Sequence, residues 1–409
     1  MKQASLFDGS IPFRITKPIR LIELFGGIGS QAKALTNLGV KFEHYRYCDF
    51  DKYAVKSYNA IHNTNFETTD ITKLTAKDLN IVETDKYDYI MTYSFPCTDL
   101  SKAGKGLGMA KGSGTRSGLL WEVERLLDEC NDLPQVLLME NVPDVIGTAN
   151  AKHFAEWVQK LESLGHKNYW ESLNAKNYGI PQNRERVFMV SLLGDYDYQF
   201  PSGIKLEKRL KDLLEENVDE KYYLSDKMLN FCINNTEKQK SKGNGFKFAP
   251  VELEKAEVAK TITTRSGSRI DDNFIKVVGH LDIKGNDQIR RVYDDNGLSS
   301  TLSTMAGGNR QPKILTIGNY SKSNHNASRI VDKNGISPTV MENHGTVTAI
   351  NTDYRIRKLT PTECYLLMGF TKEDAAKVKE IGMSNSQMYK QAGNSIVVNV
   401  LMAIFKNLL

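Results

Sequence analysis

Between residues 19 and 195 the chain alternates short apolar runs with amphipathic stretches, and this alternation restricts the fold more than any other feature of the sequence. "IRLIELF", "FEHYRYCDF", "YDYIMTYSF", "QVLLMENV" and "RERVFMVSLL" have the length and composition of strands. "SQAKALTNLG", "DKYAVKSYNAIH", "GLLWEVERLLDEC" and "HFAEWVQKLESLG" space their apolar residues as helices do. Strands alternating with helices predict an α/β domain on a largely parallel, doubly wound sheet covered on both faces. In such a sheet ligands bind beyond the carboxyl ends of the strands.

A chain of 409 residues exceeds one ordinary core, and its composition shifts near residue 200 toward lysine, asparagine, glycine and threonine. We expect a first domain over 1–200, a second over 201–352, and a segment over 353–409 whose helix-like periodicity returns it to the first. The second domain contains a repeat: "RVYDDNGLSSTLSTMAGG" from Arg291 and "RIVDKNGISPTVMENHG" from Arg329 superpose at an offset of 38 residues. Each copy carries Asn-Gly between β-prone runs, which predicts a hairpin closed by a type I′ turn.

The five cysteines are scattered and form no C-x-x-C pair, which argues against a disulfide framework or a zinc site. The opening residues lack the apolar core of a signal peptide, and no later run approaches the roughly 18 apolar residues of a membrane span. A cytoplasmic protein without membrane or metal is therefore expected. The formal net charge of +5 permits an anionic partner such as nucleic acid without requiring one.

The run "IELFGGIGSQAKAL" joins a strand to a helix, where Gly27 and Gly29 would let backbone approach a ligand at the helix start. Asp49 closes the next strand, where an acid binds ribose hydroxyls. Phe50 is placed to stack on an adenine, and Asp70 to accept from its amino group. Singly, the acids read as solvated loop residues and Phe50 as a core aromatic; their order after the glycine loop favours a ligand. The dinucleotide fingerprint is incomplete and the P-loop lysine is missing, so a nucleoside cofactor without a pyrophosphate, such as S-adenosylmethionine, fits better. Cys97 follows Pro96 at the end of an apolar run, as a buried small hydrophobe or as a nucleophile presented at a strand end.

"LFGGIG", "FPC", "ENV", "YGIPQNRERVF", "KLTPTEC" and "AGNS" follow one another in this chain. In order and spacing they resemble, over nearly the whole length, the bacterial and phage DNA cytosine-5 methyltransferase family. The resemblance implies a Rossmann-like, doubly wound S-adenosylmethionine-dependent methyltransferase domain with a smaller β-rich target-recognition domain. It implies Cys97 as the nucleophile, Glu140 as the acid at ring nitrogen 3, and Arg186 with Arg184 at the base carbonyl and nearby phosphate. Phe25, Gly27, Gly29, Asp49, Phe50, Asp70, Pro96, Leu119, Asn394 and Ser395 would line the cofactor pocket. Residues 101–118 resemble the family's mobile catalytic loop, and Thr98 stands where the family usually has glutamine. The Thr-Leu or Thr-Val pair near the flipped nucleotide matches Thr301-Leu302 or Thr339-Val340, and the resemblance leaves both open.

The implied partner is double-stranded DNA, reached by a nucleoid-associated monomer, with room for a cognate restriction endonuclease. Arg291 and Arg329, with Arg265, Arg269 and Arg310, are candidates to read guanines. An RNA cytosine-5 methyltransferase is the alternative, disfavoured by the long insertion between "RERVF" and "RKLTP". A nicotinamide oxidoreductase leaves Cys97 and Glu140 unexplained. A DNA-binding module with a dead catalytic domain conflicts with the full catalytic set. Cys130, on a helix face, is read as packing.

Overall fold

A computed structural model describes residues 11–97, 100, 108–213, 215, 218, 219, 221 and 360–409, together with the backbone of six short strands between 277 and 358. The chain divides into two compact units, Met1–Glu207 with Tyr365–Leu409, and Lys208–Cys364.

The first unit runs β1 (Ile11–Pro12), β2 (Ile19–Leu24), α1 (Ser30–Asn37), β3 (Phe42–Cys48), α2 (Lys52–His62), α3 (Ala76–Leu79), β4 (Asp88–Tyr93), α4 (Leu120–Glu129), β5 (Val136–Asn141), α5 (Ala151–Ser163), β6 (His166–Asn174), β7 (Glu185–Leu193) and β8 (Tyr196–Asp197). Six of these strands form one sheet in the order β3-β2-β4-β5-β7-β6. β2 pairs in parallel with both β3 and β4, and β4 with β5. β7 runs antiparallel to β5 and to β6, so the sheet is parallel only on one side. Apolar periodicity does not encode strand direction, and this reversal has a consequence for the site: the amino end of β7 lies at the same sheet edge as the carboxyl ends of β2 to β5.

β4 and β5 are buried at every position, as strands covered on both faces must be. Leu21, Ile22, Tyr89, Ile90, Met91, Leu137, Met139 and Val190 are fully enclosed. Trp157 of α5 fills the layer above β4, and its indole Nε1 donates to the Tyr93 hydroxyl at 3.1 Å. Such a buried donor must be paired, because an unmet hydrogen bond in the interior costs about 1–3 kcal/mol.

α6 (Pro361–Leu366) is followed by α7 (Lys372–Glu380), α8 (Asn385–Asn394) and α9 (Val398–Lys406). α9 packs along α1. α7 is tied to α1 by an ion pair between Lys33 and Asp374 at 2.7 Å. Among the described residues no helix is long and apolar enough to cross a membrane.

In the second unit β9 (Val277–His280), β10 (Arg291–Tyr293), β11 (Lys313–Thr316) and β14 (Arg355–Lys358) form a sheet in the order β14-β11-β10-β9, and β12 (Val331–Asp332) pairs with β13 (Ile350–Asn351). β10 and β12 fall at overlapping positions of the two repeat copies, and each pairs in parallel with a later strand, Val292 with Lys313 and Val331 with Ile350. Parallel pairing requires a crossover, so β11 and β13 are not the second arms of the expected hairpins, and those arms lie outside the described residues. The Asn-Gly turns themselves lie outside the described residues.

Candidate active site

β2 has β3 on one side and β4 on the other, so the connections from β2 and β3 leave in opposite directions and open a crevice beyond their carboxyl ends. The glycine loop follows β2, Asp49 and Phe50 follow β3, Cys97 follows β4, and Glu140 and Asn141 end β5.

Glu140 stands opposite Phe188 in the β5–β7 register, which makes Arg186 its diagonal neighbour on the same face. Arg186 Nε lies 3.2 Å from Glu140 Oε1. Arg184 and Arg186 share a face because strand side chains alternate, and Glu185 between them is exposed. "RER" is therefore two inward cations and one outward anion, not a solvated charge run. Burial pushes the Glu140 carboxyl up, against the opposing pull of Arg186 and then Arg184. Burial also pushes the Cys97 thiol up, while Arg186 and Arg184 draw it down and Glu140 adds to the rise. Cys97 thus sits within the field of this charge cluster.

The loop carrying Cys97 is held by its backbone carbonyls. Asn141 Nδ2 donates to Phe95 O at 3.1 Å, and Ser117 Oγ donates to Pro96 O at 2.7 Å. Neither role is among those expected from the sequence. Asn141 carried a signal, a polar group directly after an acid at a strand end; Ser117 carried none.

The structure separates the two arginines. Arg184 is 4% exposed, and its Nη2 donates to Gly393 O at 3.1 Å and Ser395 O at 2.9 Å. Its fork straps the end of α8 to β7, a different task from the base contact expected of it beside Arg186. Burial and the Arg186 charge pull its pKa down to about 9.

Asp49 joins the glycine loop to the next segment. Its Oδ2 accepts from Gly27 N at 2.9 Å and its Oδ1 from Asp51 N at 2.8 Å, while its carbonyl accepts from Thr69 N at 2.9 Å, next to Asp70. Gly27 has φ +55° with nothing within 4 Å of where a Cβ would stand, so open space adjoins the loop there. Phe50 is 70% exposed, its ring open to the surface rather than packed in the core. Asp70 is exposed and caps a 3-10 turn, accepting from Thr72 N at 3.0 Å and from the Thr72 hydroxyl at 2.9 Å.

Phe25, Cys97 and Leu119 pack, partly buried, against one apolar cluster, and Pro96 is half-buried beside them. Asn394 is exposed at the end of α8. Two expectations change in detail. Ser395 is buried and spends its hydroxyl proton on Gln391 O at 2.7 Å. Gly29, expected beside the ligand, has His62 Nε2 at 2.3 Å and Tyr58 Cε2 at 2.6 Å from its would-be Cβ, so packing from below requires the glycine.

Cys130 is half-buried at the carboxyl end of α4, packed against the core. Thr98, Cys232, Arg265, Arg269, Thr301, Leu302, Arg310, Arg329, Thr339 and Val340 lie outside the described residues, as do 101–107 of the glycine-rich loop. Arg291 opens β10, and its side chain is likewise outside them.

The profile of the C-5 cytosine-specific DNA methylase family matches residues 19–409. The chain belongs to this family. It is 32% identical over 465 aligned residues to the orphan methyltransferase M.SPBetaI of Bacillus phage SPbeta, covering 96% of this chain and 97% of that protein. It is also 32% identical to the orphan methyltransferase M.SssI of Spiroplasma monobiae, over 95% of this chain and 97% of that one. Two solved structures share the fold. The Entamoeba histolytica methyltransferase EhMeth has a TM-score of 0.61 at 15% identity, covering 96% of this chain and 98% of its own. The S. pombe Dnmt2 methyltransferase has a TM-score of 0.58 at 18% identity, covering 95% and 97%. The protein is a DNA cytosine-5 methyltransferase, the reading favoured over the RNA alternative, and S-adenosylmethionine-dependent methylation comes with the family.

The charge cluster gives this methyltransferase a testable thiol. Because the Glu140 carboxylate raises the Cys97 pKa, Glu140→Gln shifts the half-maximal pH of iodoacetamide alkylation at Cys97 downward. An unchanged or higher midpoint, read by mass spectrometry of the Cys97 peptide, contradicts the coupling.

Proposed function

We propose that the chain transfers a methyl group to carbon 5 of a cytosine flipped out of double-stranded DNA, through a covalent bond between carbon 6 and Cys97. The observation that carries this reading is the placement of Cys97 beside the Glu140–Arg186 pair, at the sheet edge that also bears the glycine loop.

Carbon 5 of cytosine is a weak nucleophile. The Cys97 thiolate adds to carbon 6, and the electron pair displaced from the ring double bond moves toward nitrogen 3, which takes the Glu140 proton. Burial raises the pKa of this carboxyl, which favours its proton-bearing form over that of an exposed glutamate. Arg186, held by Glu140, presents its guanidinium to the base carbonyl, where charge builds up. S-adenosylmethionine, when bound, supplies an electrophilic methyl group for carbon 5. Loss of the carbon 5 proton to solvent then restores the ring double bond and expels the thiolate, and the nitrogen 3 proton returns to Glu140. A stacked base cannot enter this site, so flipping is required.

The residues present suit that cofactor. Gly27 leaves open space for a ligand, the exposed Phe50 ring offers a stacking surface for adenine, and the exposed Asp70 carboxylate offers an acceptor. Asp49, whose oxygens retain lone pairs beyond the two backbone bonds they accept, can take ribose hydroxyls. Residues 201–352 are proposed as the target-recognition domain, with Arg291, Arg329 and one of Thr301 or Thr339 against the DNA, in keeping with the net charge of +5. A cytoplasmic, nucleoid-associated location follows from that substrate.

The direct assay is methylation of duplex DNA and of an RNA of matching sequence with isotopically labelled S-adenosylmethionine, read as 5-methylcytosine by mass spectrometry. Label in DNA alone supports the reading, and label in RNA alone contradicts it. Asp70→Ala weakens S-adenosylmethionine binding by about tenfold, the loss of one charge-assisted hydrogen bond, with turnover at saturating cofactor unchanged. Unchanged affinity by calorimetry removes Asp70 from the pocket.

A further inference from the structure

The glycine loop is gripped from beneath by three aromatic side chains that the catalytic scheme leaves without a task. Tyr47 OH donates to Gly27 O at 2.7 Å, and His62 Nε2 lies 3.0 Å from Ile28 O. Tyr58 OH lies 2.5 Å from Glu23 Oε2, and Glu23 Oε1 accepts from Ala32 N, in the first turn of α1, at 3.3 Å. The three rings touch in sequence, with centroids 4.1 Å apart between Tyr47 and Tyr58 and 4.5 Å between Tyr58 and His62.

The loop is cut to fit this surface. A Cβ on Gly26 would stand 2.5 Å from Tyr47 Cε2, and one on Gly29 would stand 2.3 Å from His62 Nε2. Gly26 and Gly29 therefore belong to the aromatic side of the loop, and Gly27, with open space beside it, belongs to the ligand side. We infer that Tyr47, Tyr58 and His62 act as positioning residues, an aromatic bracket that fixes the peptide planes of the glycine loop for S-adenosylmethionine. This inference rests on the cofactor reading above.

The physical link is the peptide plane. Carbonyl and N–H of one trans peptide point in opposite directions. Tyr47, by holding Gly27 O toward the bracket, turns the N–H of Ile28 to the opposite side, away from the aromatic rings. Asp49 meanwhile fixes the preceding N–H, that of Gly27. Successive peptides are locked before any ligand arrives, so less ordering opposes binding. Burial pulls His62 down to about 4, so its ring is neutral at physiological pH and, facing a carbonyl, carries its proton on Nε2.

The test uses the full chain and the double variant Tyr47→Phe with His62→Phe, which keeps aromatic bulk and removes both donors. Each lost hydrogen bond corresponds to about fivefold in affinity, so calorimetry without DNA should read S-adenosylmethionine binding weaker by about 20-fold. The KM for the cofactor rises by a similar factor while kcat at saturating cofactor stays within about twofold. Tyr47→Phe with His62→Gln, which restores a donor at 62, recovers about fivefold. Unchanged cofactor affinity with a lowered melting temperature overturns the inference, because the bracket is then packing alone. A fall in kcat at saturating cofactor without weaker binding also overturns it. Absence of S-adenosylmethionine binding by the unaltered protein contradicts the cofactor reading itself, and the bracket's role with it.

Discussion

Cys97→Ala lowers methyl transfer by about a million-fold, the scale of removing a nucleophile from a cooperating set, while S-adenosylmethionine binds as it does to the unaltered protein. The separation follows from the architecture. Cys97 hangs on a loop after β4 whose carbonyls are held by Asn141 and Ser117, whereas the cofactor residues are organised by Asp49 and the bracket beneath the glycine loop. Removing the sulfur leaves both frameworks intact. Cys97→Ser gives the same loss, because a hydroxyl ionises far less readily than a thiol in the same place and is the weaker nucleophile. Turnover within about tenfold of the unaltered protein in either variant contradicts covalent attack by this residue.

Glu140→Gln lowers turnover by about 10²- to 10⁴-fold, the usual contribution of a positioned acid. The amide keeps the side chain's shape but cannot deliver a proton to nitrogen 3. Its effect on Cys97 runs the other way, since loss of the carboxylate makes the thiol easier to ionise. A variant with a more readily ionised nucleophile and a much slower reaction locates the defect in proton delivery to the base. The pH-rate profile of single turnover tests this: the limb that Glu140 contributes disappears in the variant. Retention of that limb assigns it to another group.

Much of the site could be read before the structure because its residues sit at the ends of periodic elements. Glu140 lies at the end of a strand, Asp49 directly follows one and Cys97 stands on the loop after another, and strand ends in a doubly wound sheet converge on one edge. The period of two in "RER" also predicts that Arg184 and Arg186 face one way and Glu185 the other. What Arg184 does was not legible. Its acceptors are backbone carbonyls 209 and 211 residues along the chain, and a carbonyl leaves no mark in a sequence. The same holds for Tyr47 and His62, whose spacing shows which way they face but not that they end on loop carbonyls. Glu23 did carry a signal, an acid at a buried position of an apolar strand, and such a group must find donors. The direction of β7 was hidden because apolar periodicity is the same for either direction, yet that direction brings the arginines to Cys97.

The covalent adduct is the central claim, and trapping it is the most direct measurement. The protein is incubated with S-adenosylmethionine and a duplex library in which cytosine is replaced by 5-fluorocytosine, then denatured and analysed by gel and mass spectrometry. Fluorine at carbon 5 leaves no proton to remove, so the carbon 6–sulfur bond persists. The account predicts a denaturant-resistant adduct mapped to Cys97, absent in Cys97→Ala, with a shared sequence in the trapped DNA. Methylation of ordinary duplex DNA without any such adduct, or an adduct that survives Cys97→Ala, contradicts it.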